Sequence, residues 1–74
     1  MGVDDVAERL ASIAEELGDL AFDRLSEASS TAGRGVAPDP RLADEERRLM
    51  RARRAVEKAV SLLRARPAEV DEVP

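Results

Sequence analysis

The 74-residue chain is long enough for one domain at most, and so small a domain buries only about 60% of the surface that its unfolded state exposes. Cysteine and histidine are absent, which excludes disulfides, thiolate or imidazole metal sites and histidine-based catalysis, so oligomerisation remains as the way to stabilise a small core. A single aromatic residue and a net charge of −4 disfavour base-stacking platforms, aromatic ligand pockets and binding to anionic membranes.

The first segment is predicted to form a helix over residues 4–29. Asp5 followed by Glu8 is an acidic form of the capping box, and carboxylates favour the positive end of a helix dipole. Apolar residues then recur at alternating three- and four-residue spacing, which predicts a heptad seam. This seam consists of Val3, Val6, Leu10, Ile13, Leu17 and Leu20. At Arg24 the strict seam fails.

A second row widens the apolar arc of the first helix on one side. It consists of Ala7, Ala11, Ala14 and Gly18, with Phe22 one turn further on, and Leu25 continues the stripe after the seam fails. Acidic residues occupy the opposite face. The apolar surface is therefore wide enough for two neighbours, and most of its excess is expected on this second row.

The linker is predicted over residues 30–38, which contain two glycines and a proline and show no periodicity. A second helix is predicted over 40–66, with Asp39 as its N-cap and Pro40 at its first position. Its apolar stripe repeats every seven residues at Leu42, Leu49, Val56 and Leu63, with Ala52 and Ala59 between them. Residues 67–74 are expected to form a disordered acidic tail.

The two predicted helices have similar lengths, so folding back at the linker gives an antiparallel hairpin. Two helices share only one seam, and the apolar surface left over favours association. The predicted fold is therefore all-α, an antiparallel two-helix hairpin that dimerises into a four-helix bundle. The face expected to meet a second copy or another partner comprises Val6, Leu10, Ala11, Ile13, Ala14, Leu17, Gly18, Leu20, Phe22, Leu25, Leu49, Val56 and Leu63.

Charge divides the chain into an acidic and a basic half. Residues 1–29 carry eight acids and two bases, whereas residues 41–66 carry nine bases and four acids. A stripe at helical spacing contains Arg47, Arg51, Arg54 and Lys58. Such a stripe can follow nucleic-acid phosphates, bind an acidic protein, or serve as a solvated face that pairs with neighbouring acids. The net negative charge and the lack of a recognisable DNA-binding module favour the solvated face.

Two charges fall at positions where the seams call for apolar residues. Arg24 interrupts the first seam, and Glu45 occupies a seam-type position near the start of the second helix. Either the bundle frays at these positions, or the opposite charges fix the register and orientation of the helices.

No catalytic constellation is visible, since the serines lack a histidine or cysteine companion and adjacent carboxylates point apart on a helix. We therefore expect a non-enzyme without cofactor, metal or small-molecule ligand. The predicted function is a structural or protein–protein interaction module that self-associates. The alternatives are a small nucleic-acid-associated protein that uses the basic stripe, and an accessory or regulatory subunit of a larger complex. The lack of a long apolar run and of a basic leader predicts a cytoplasmic protein without membrane contact.

Overall fold

A computed structural model of the chain describes residues 2–37 and 39–65. Within these residues the chain forms two α-helices and no strand: α1 spans Val3–Gly33 and α2 spans Pro40–Arg64. The all-helical prediction is thereby confirmed. Residue 66, the predicted end of the second helix, and the predicted tail over 67–74 lie outside the described residues. Neither described helix combines the length and the apolar character needed to cross a lipid bilayer.

The start of α1 is closed by a different pair of residues from the one predicted. The backbone N–H of Gly2 donates to the carboxylate of Asp5 over 3.0 Å. Asp5 is therefore the third helical residue that reaches back to the N-cap, and it is not itself the cap. Its negative charge still lies within the first turn, where the helix dipole favours it.

The end of α1 extends four residues beyond the predicted boundary. The hydroxyl of Thr31 donates to the Glu27 carbonyl over 2.9 Å, so this polar residue satisfies its hydroxyl within the helix. The helix is then closed by two backbone hydrogen bonds, from Val36 to the Thr31 carbonyl at 3.1 Å and from Gly35 to the Ala32 carbonyl at 3.0 Å. Gly35 has a φ of 77°, which glycine adopts without steric cost. Part of the predicted linker is thus a helix terminus and its cap.

The start of α2 follows the predicted capping pattern. The Asp39 carboxylate accepts a hydrogen bond from the Arg41 backbone over 2.9 Å, and Pro40 occupies a position whose N–H would lack a partner. The hydrogen bond from the Arg41 backbone lowers the pKa of Asp39, and the Arg41 guanidinium acts in the same direction. The cap is therefore made by the charged carboxylate.

The two helices pack antiparallel, and the α1 side of their seam is built from alanines. Ala7, Ala14 and Ala21 recur every seven residues and are 0%, 5% and 2% exposed. Leu10 and Leu17 alternate with them and are half-buried. The alanines each follow by one residue the predicted seam residues Val6, Ile13 and Leu20. They lie in the seam because small side chains allow the two backbones to approach closely.

The α2 side of the seam supplies the longer side chains. Val60 is buried, and Glu46 and Arg53 occupy the equivalent positions at seven-residue spacing and are half-buried. Ala52 and Ala59, which the sequence pattern places in the apolar stripe of the second helix, do not fill the seam: Ala52 is exposed and Ala59 is only half-buried. The reason is complementary size: the space opposite the α1 alanines is filled by valine and by the stems of the long charged residues.

The resulting core is thin. Among the described residues, the buried hydrophobic side chains are three alanines and one valine, and no large side chain is fully buried. Leucines and isoleucine contribute to the seam with one side only. A single copy of the hairpin therefore leaves much of its aliphatic surface in contact with solvent.

Candidate interaction surface

Three of the large apolar residues expected in the seam, Val6, Ile13 and Leu20, lie instead along one broad side of the hairpin, whereas Leu10 and Leu17 are in the seam as predicted. Val6 is half-buried, and Ile13 and Leu20 are each 42% exposed. Their seven-residue spacing stacks them on one face of α1. The neighbouring part of α2 carries small residues at the same kind of spacing. We call this surface the open face; it comprises Val6, Ile13 and Leu20 of α1 and Ala52, Ala55, Ala59 and Leu62 of α2.

A groove of about 500 Å³ opens on this face between the two helices. Leu20, Leu49 and Ala52 give it an apolar lining. Charged residues stand at its rim: the Arg24 Nε lies 3.5 Å from the Glu45 Oε1, and Arg48 also lines the groove. The groove is therefore an apolar surface with polar residues at its margin, a pattern typical of protein interfaces.

The opposite side of the hairpin is covered by charged side chains of α2. We call it the closed face; it comprises Ala11, Gly18, Met50, Arg53 and Glu57. A Cβ atom placed on Gly18 would lie 2.8 Å from the Arg53 Nη1, so the guanidinium lies directly over the glycine. The Arg53 Nε is shielded from solvent and lies 3.4 Å from the Glu57 Oε2. The closed face thus covers the seam with groups from its own chain.

The row expected to carry the excess apolar surface is the one that α2 covers. Ala7 and Ala14 lie in the seam, and Ala11 and Gly18 beside it are half-buried. This corrects the sequence prediction for the alanines, which pack the hairpin itself while Ile13 and Leu20 are left exposed; Phe22, at the end of the same row, is exposed as predicted. The other residues of the predicted partner face divide between the two environments: Leu10, Leu17, Leu49 and Val56 are half-buried in the seam, whereas Phe22, Leu25 and Leu63 are 68%, 51% and 37% exposed.

The two charges that interrupt the seams come together. The Arg24–Glu45 ion pair joins α1 to α2, with side chains 32% and 47% exposed. Arg24 also lies 3.3 Å from the Glu27 carboxylate on its own helix. The sequence left two interpretations, fraying of the bundle or a pair of opposite charges that fixes the register. The structure shows the geometry that such a pair requires.

The basic stripe lies along the outer edge of α2. All four of its residues, Arg47, Arg51, Arg54 and Lys58, are exposed. Arg47 lies 3.6 Å from the Asp44 carboxylate on the same helix, as expected of a solvated face. Three of its residues, Arg47, Arg51 and Arg54, line a groove of about 270 Å³ together with Glu46, so a carboxylate also lines this surface.

Within residues 2–37 and 39–65, no three carboxylates are placed together as a metal site would require. Comparison of the chain with protein-family models, with curated protein sequences and with solved structures finds no match.

Proposed function

We propose that this protein is a non-enzymatic interaction module that self-associates through its open face into a dimer of hairpins. The observation that carries this proposal is the exposure of Ile13 and Leu20 along one face of α1, where Leu20 shares a groove with Ala52, the first of the small residues Ala52, Ala55 and Ala59 that follow one another at helical spacing on α2. These residues form a continuous apolar strip, and the charged residues of the groove stand at one end of it.

Energetics favour covering this strip. Burying a leucine or isoleucine contributes roughly 1.5–3 kcal/mol, and the largest buried side chain among the described residues is that of Val60. A second copy placed on the open face would convert the half-exposed leucines and isoleucine into the core of a four-helix bundle. One interface would thus supply the hydrophobic stabilisation that a 74-residue chain lacks.

The alanines of α2 make the strip suitable for a helix. Helices pack with their axes about 8–10 Å apart, and the lower end of this range requires small side chains at the contact. Ala52 and Ala55 are exposed and leave such a surface on α2. The exposed aliphatic side chains of a neighbouring helix can fill the space above them.

Self-association is tested by sedimentation equilibrium or light scattering on the full chain. We expect a mass near twice 8.0 kDa at micromolar concentration, and an unfolding midpoint that rises with protein concentration. A monomer whose unfolding does not depend on concentration would overturn the proposal.

The face is tested by a matched pair of substitutions, Leu20→Gln on the open face and Leu25→Gln away from it. Both leucines lie on α1 and are similarly exposed, at 42% and 51%. Because each dimer contains two copies of Leu20, Leu20→Gln should raise the dissociation constant at least about tenfold per copy, whereas Leu25→Gln should leave it nearly unchanged. Equal effects of the two variants would show that the open face is not the interface.

A further inference from the structure

We infer that the two copies pair with α1 of one copy lying on α2 of the other, around a twofold axis parallel to the helices. This inference rests on the proposed self-association and adds the arrangement of the partners. It commits to a second copy of this chain as the occupant of the groove. The rival arrangement places each helix on its own counterpart.

The two halves of the open face match in size, with large side chains on α1 and small ones on α2. Contacts within the hairpin set the levels: Arg24 meets Glu45, and Gly18 meets Arg53. Leu20 therefore lies level with the groove lined by Leu49 and Ala52. A twofold axis along the helices keeps every residue at its own level, so Leu20 of the second copy enters that groove.

The same geometry places Ile13 of the second copy over the alanines of α2. Ile13 precedes Leu20 by two helical turns. Because α2 runs antiparallel to α1, Ala55 and Ala59, which follow Ala52 by about one and two turns, lie level with the stretch from Leu20 to Ile13. Large side chains of α1 thus meet small ones of α2 along the strip. In the rival arrangement, the aliphatic row would meet itself and the alanine row would meet itself, so one contact would be crowded and the other empty.

The charges of the two helices favour the same pairing. α1 carries eight acidic and two basic residues, and α2 carries eight basic and four acidic ones. Placing α1 on α2 brings unlike helices together twice in the dimer. Placing each helix on its counterpart brings like charges together, which costs association energy.

One pair of residues makes this complementarity specific. Asp23 follows Leu20 by one turn at the edge of the open face, and Arg48 lines the groove at the matching edge of α2. The two are level to within about one turn, since Arg24 pairs with Glu45. Both are exposed, and neither has an ion-pair partner among the residues that the structure describes. Around the twofold axis, Asp23 of each copy faces Arg48 of the other.

A charge exchange between two versions of the chain tests the arrangement. In the Asp23→Lys homodimer the introduced lysine faces Arg48, and in the Arg48→Glu homodimer the introduced glutamate faces Asp23. Each variant alone therefore meets two like-charge contacts, whereas in a heterodimer of the two variants one contact joins the two introduced, opposite charges and the other joins the native pair. Native mass spectrometry of an equimolar mixture should show heterodimer roughly tenfold above its statistical share, and the excess should fall as salt is raised.

A matched control uses charges of the same helices on the side away from the open face. Glu15 lines a groove with Ala11 and Arg53 of the closed face, and Arg54 lies one turn after Met50 on α2, so both stand toward the closed face, and both are exposed. Glu15→Lys with Arg54→Glu makes the same net charge changes, and their mixture should remain close to statistical. Circular dichroism of each single variant establishes that it retains the helix content of the unsubstituted chain.

The outcomes separate the arrangement from self-association itself. Heterodimer preference for the Asp23/Arg48 exchange and not for the Glu15/Arg54 exchange, with the Asp23→Lys and Arg48→Glu homodimers weaker than that of the unsubstituted chain, supports α1 on α2. If each helix lay on its counterpart, each substitution would replace one like-charge contact by another, so homodimers that are not weakened overturn the arrangement. A statistical mixture in both cases, or an equal preference in both, with the unsubstituted chain dimeric, overturns the arrangement and leaves self-association standing. A monomeric unsubstituted chain overturns both proposals.

Discussion

The open and closed faces are built from the same two helices, yet they differ in how far they cover the seam from solvent. On the closed face, Gly18 leaves room for Arg53 to lie across α1, and its charge is met by Glu57. On the open face, Ile13 and Leu20 are exposed beside alanines. The closed face is thus covered by side chains of its own chain around Gly18, whereas the open face has the size and polarity of half a core.

The largest expected effect comes from enlarging a residue in the seam. Ala14→Leu adds three carbons at a site that is 5% exposed between the helices, so we expect a loss of about 1–3 kcal/mol in the free energy of unfolding. Urea unfolding followed by circular dichroism at several protein concentrations measures this loss and separates it from association.

The matched variant is Ala55→Leu on the open face, where the added side chain extends into solvent in a single hairpin. Ala55→Leu should change the free energy of unfolding of that hairpin by no more than about 0.5 kcal/mol, because leucine and alanine are both good helix formers. Equal losses from the two substitutions would contradict the distinction between a closed seam and an open face.

A smaller effect, of opposite sign, is expected from Gly18→Ala on the closed face. The new Cβ would meet the far end of the Arg53 side chain, which can move aside. Alanine is more favourable than glycine in a helix interior by up to about 1 kcal/mol, so we expect a gain of that size at most, measured by thermal unfolding. Gly33→Ala is the control, because its added Cβ meets nothing within 4 Å. Destabilisation by Gly18→Ala would mean that Arg53 is held in place and that the closed face is a fixed structure.

Sequence patterns could predict the two helices but not the row along which they meet. The predicted and the observed seam share Leu10 and Leu17. They differ in the residues between these leucines, which are the row beginning at Val6 in the prediction and the row beginning at Ala7, one residue further on, in the structure. Hydrophobicity favours the row with leucines and isoleucine. Interhelical distance favours the row with alanines, and this depends on the side chains that the other helix supplies, among them Arg53 and Val60.

The helix ends show which local sequence signals are sufficient to predict where a helix begins or ends. Asp39 and Pro40 act as their types predict, because capping depends on neighbouring residues alone. The predicted end of α1 falls too early, because serine and threonine are typical of a linker. Thr31 satisfies its hydroxyl on the preceding turn, and Gly35 provides the left-handed conformation that ends the helix.

The smallest expected effect concerns the Arg24–Glu45 pair at the rim of the open face. A double-mutant cycle with Arg24→Gln and Glu45→Gln should give a favourable coupling of about 0.2–1 kcal/mol, because both side chains are partly exposed. The coupling free energy should lie near the lower end of this range, because Arg24 retains its ion pair with Glu27, at 3.3 Å, when Glu45 is replaced. Raising the salt concentration should reduce it further.

The Arg53–Glu57 pair of the closed face is the comparison, because it lies within one helix and cannot report on how the helices meet. A coupling for Arg24–Glu45 that is zero at low salt would favour fraying at this end of the hairpin. A measurable one would show that the two charges contribute to the register in which α1 and α2 build the open face.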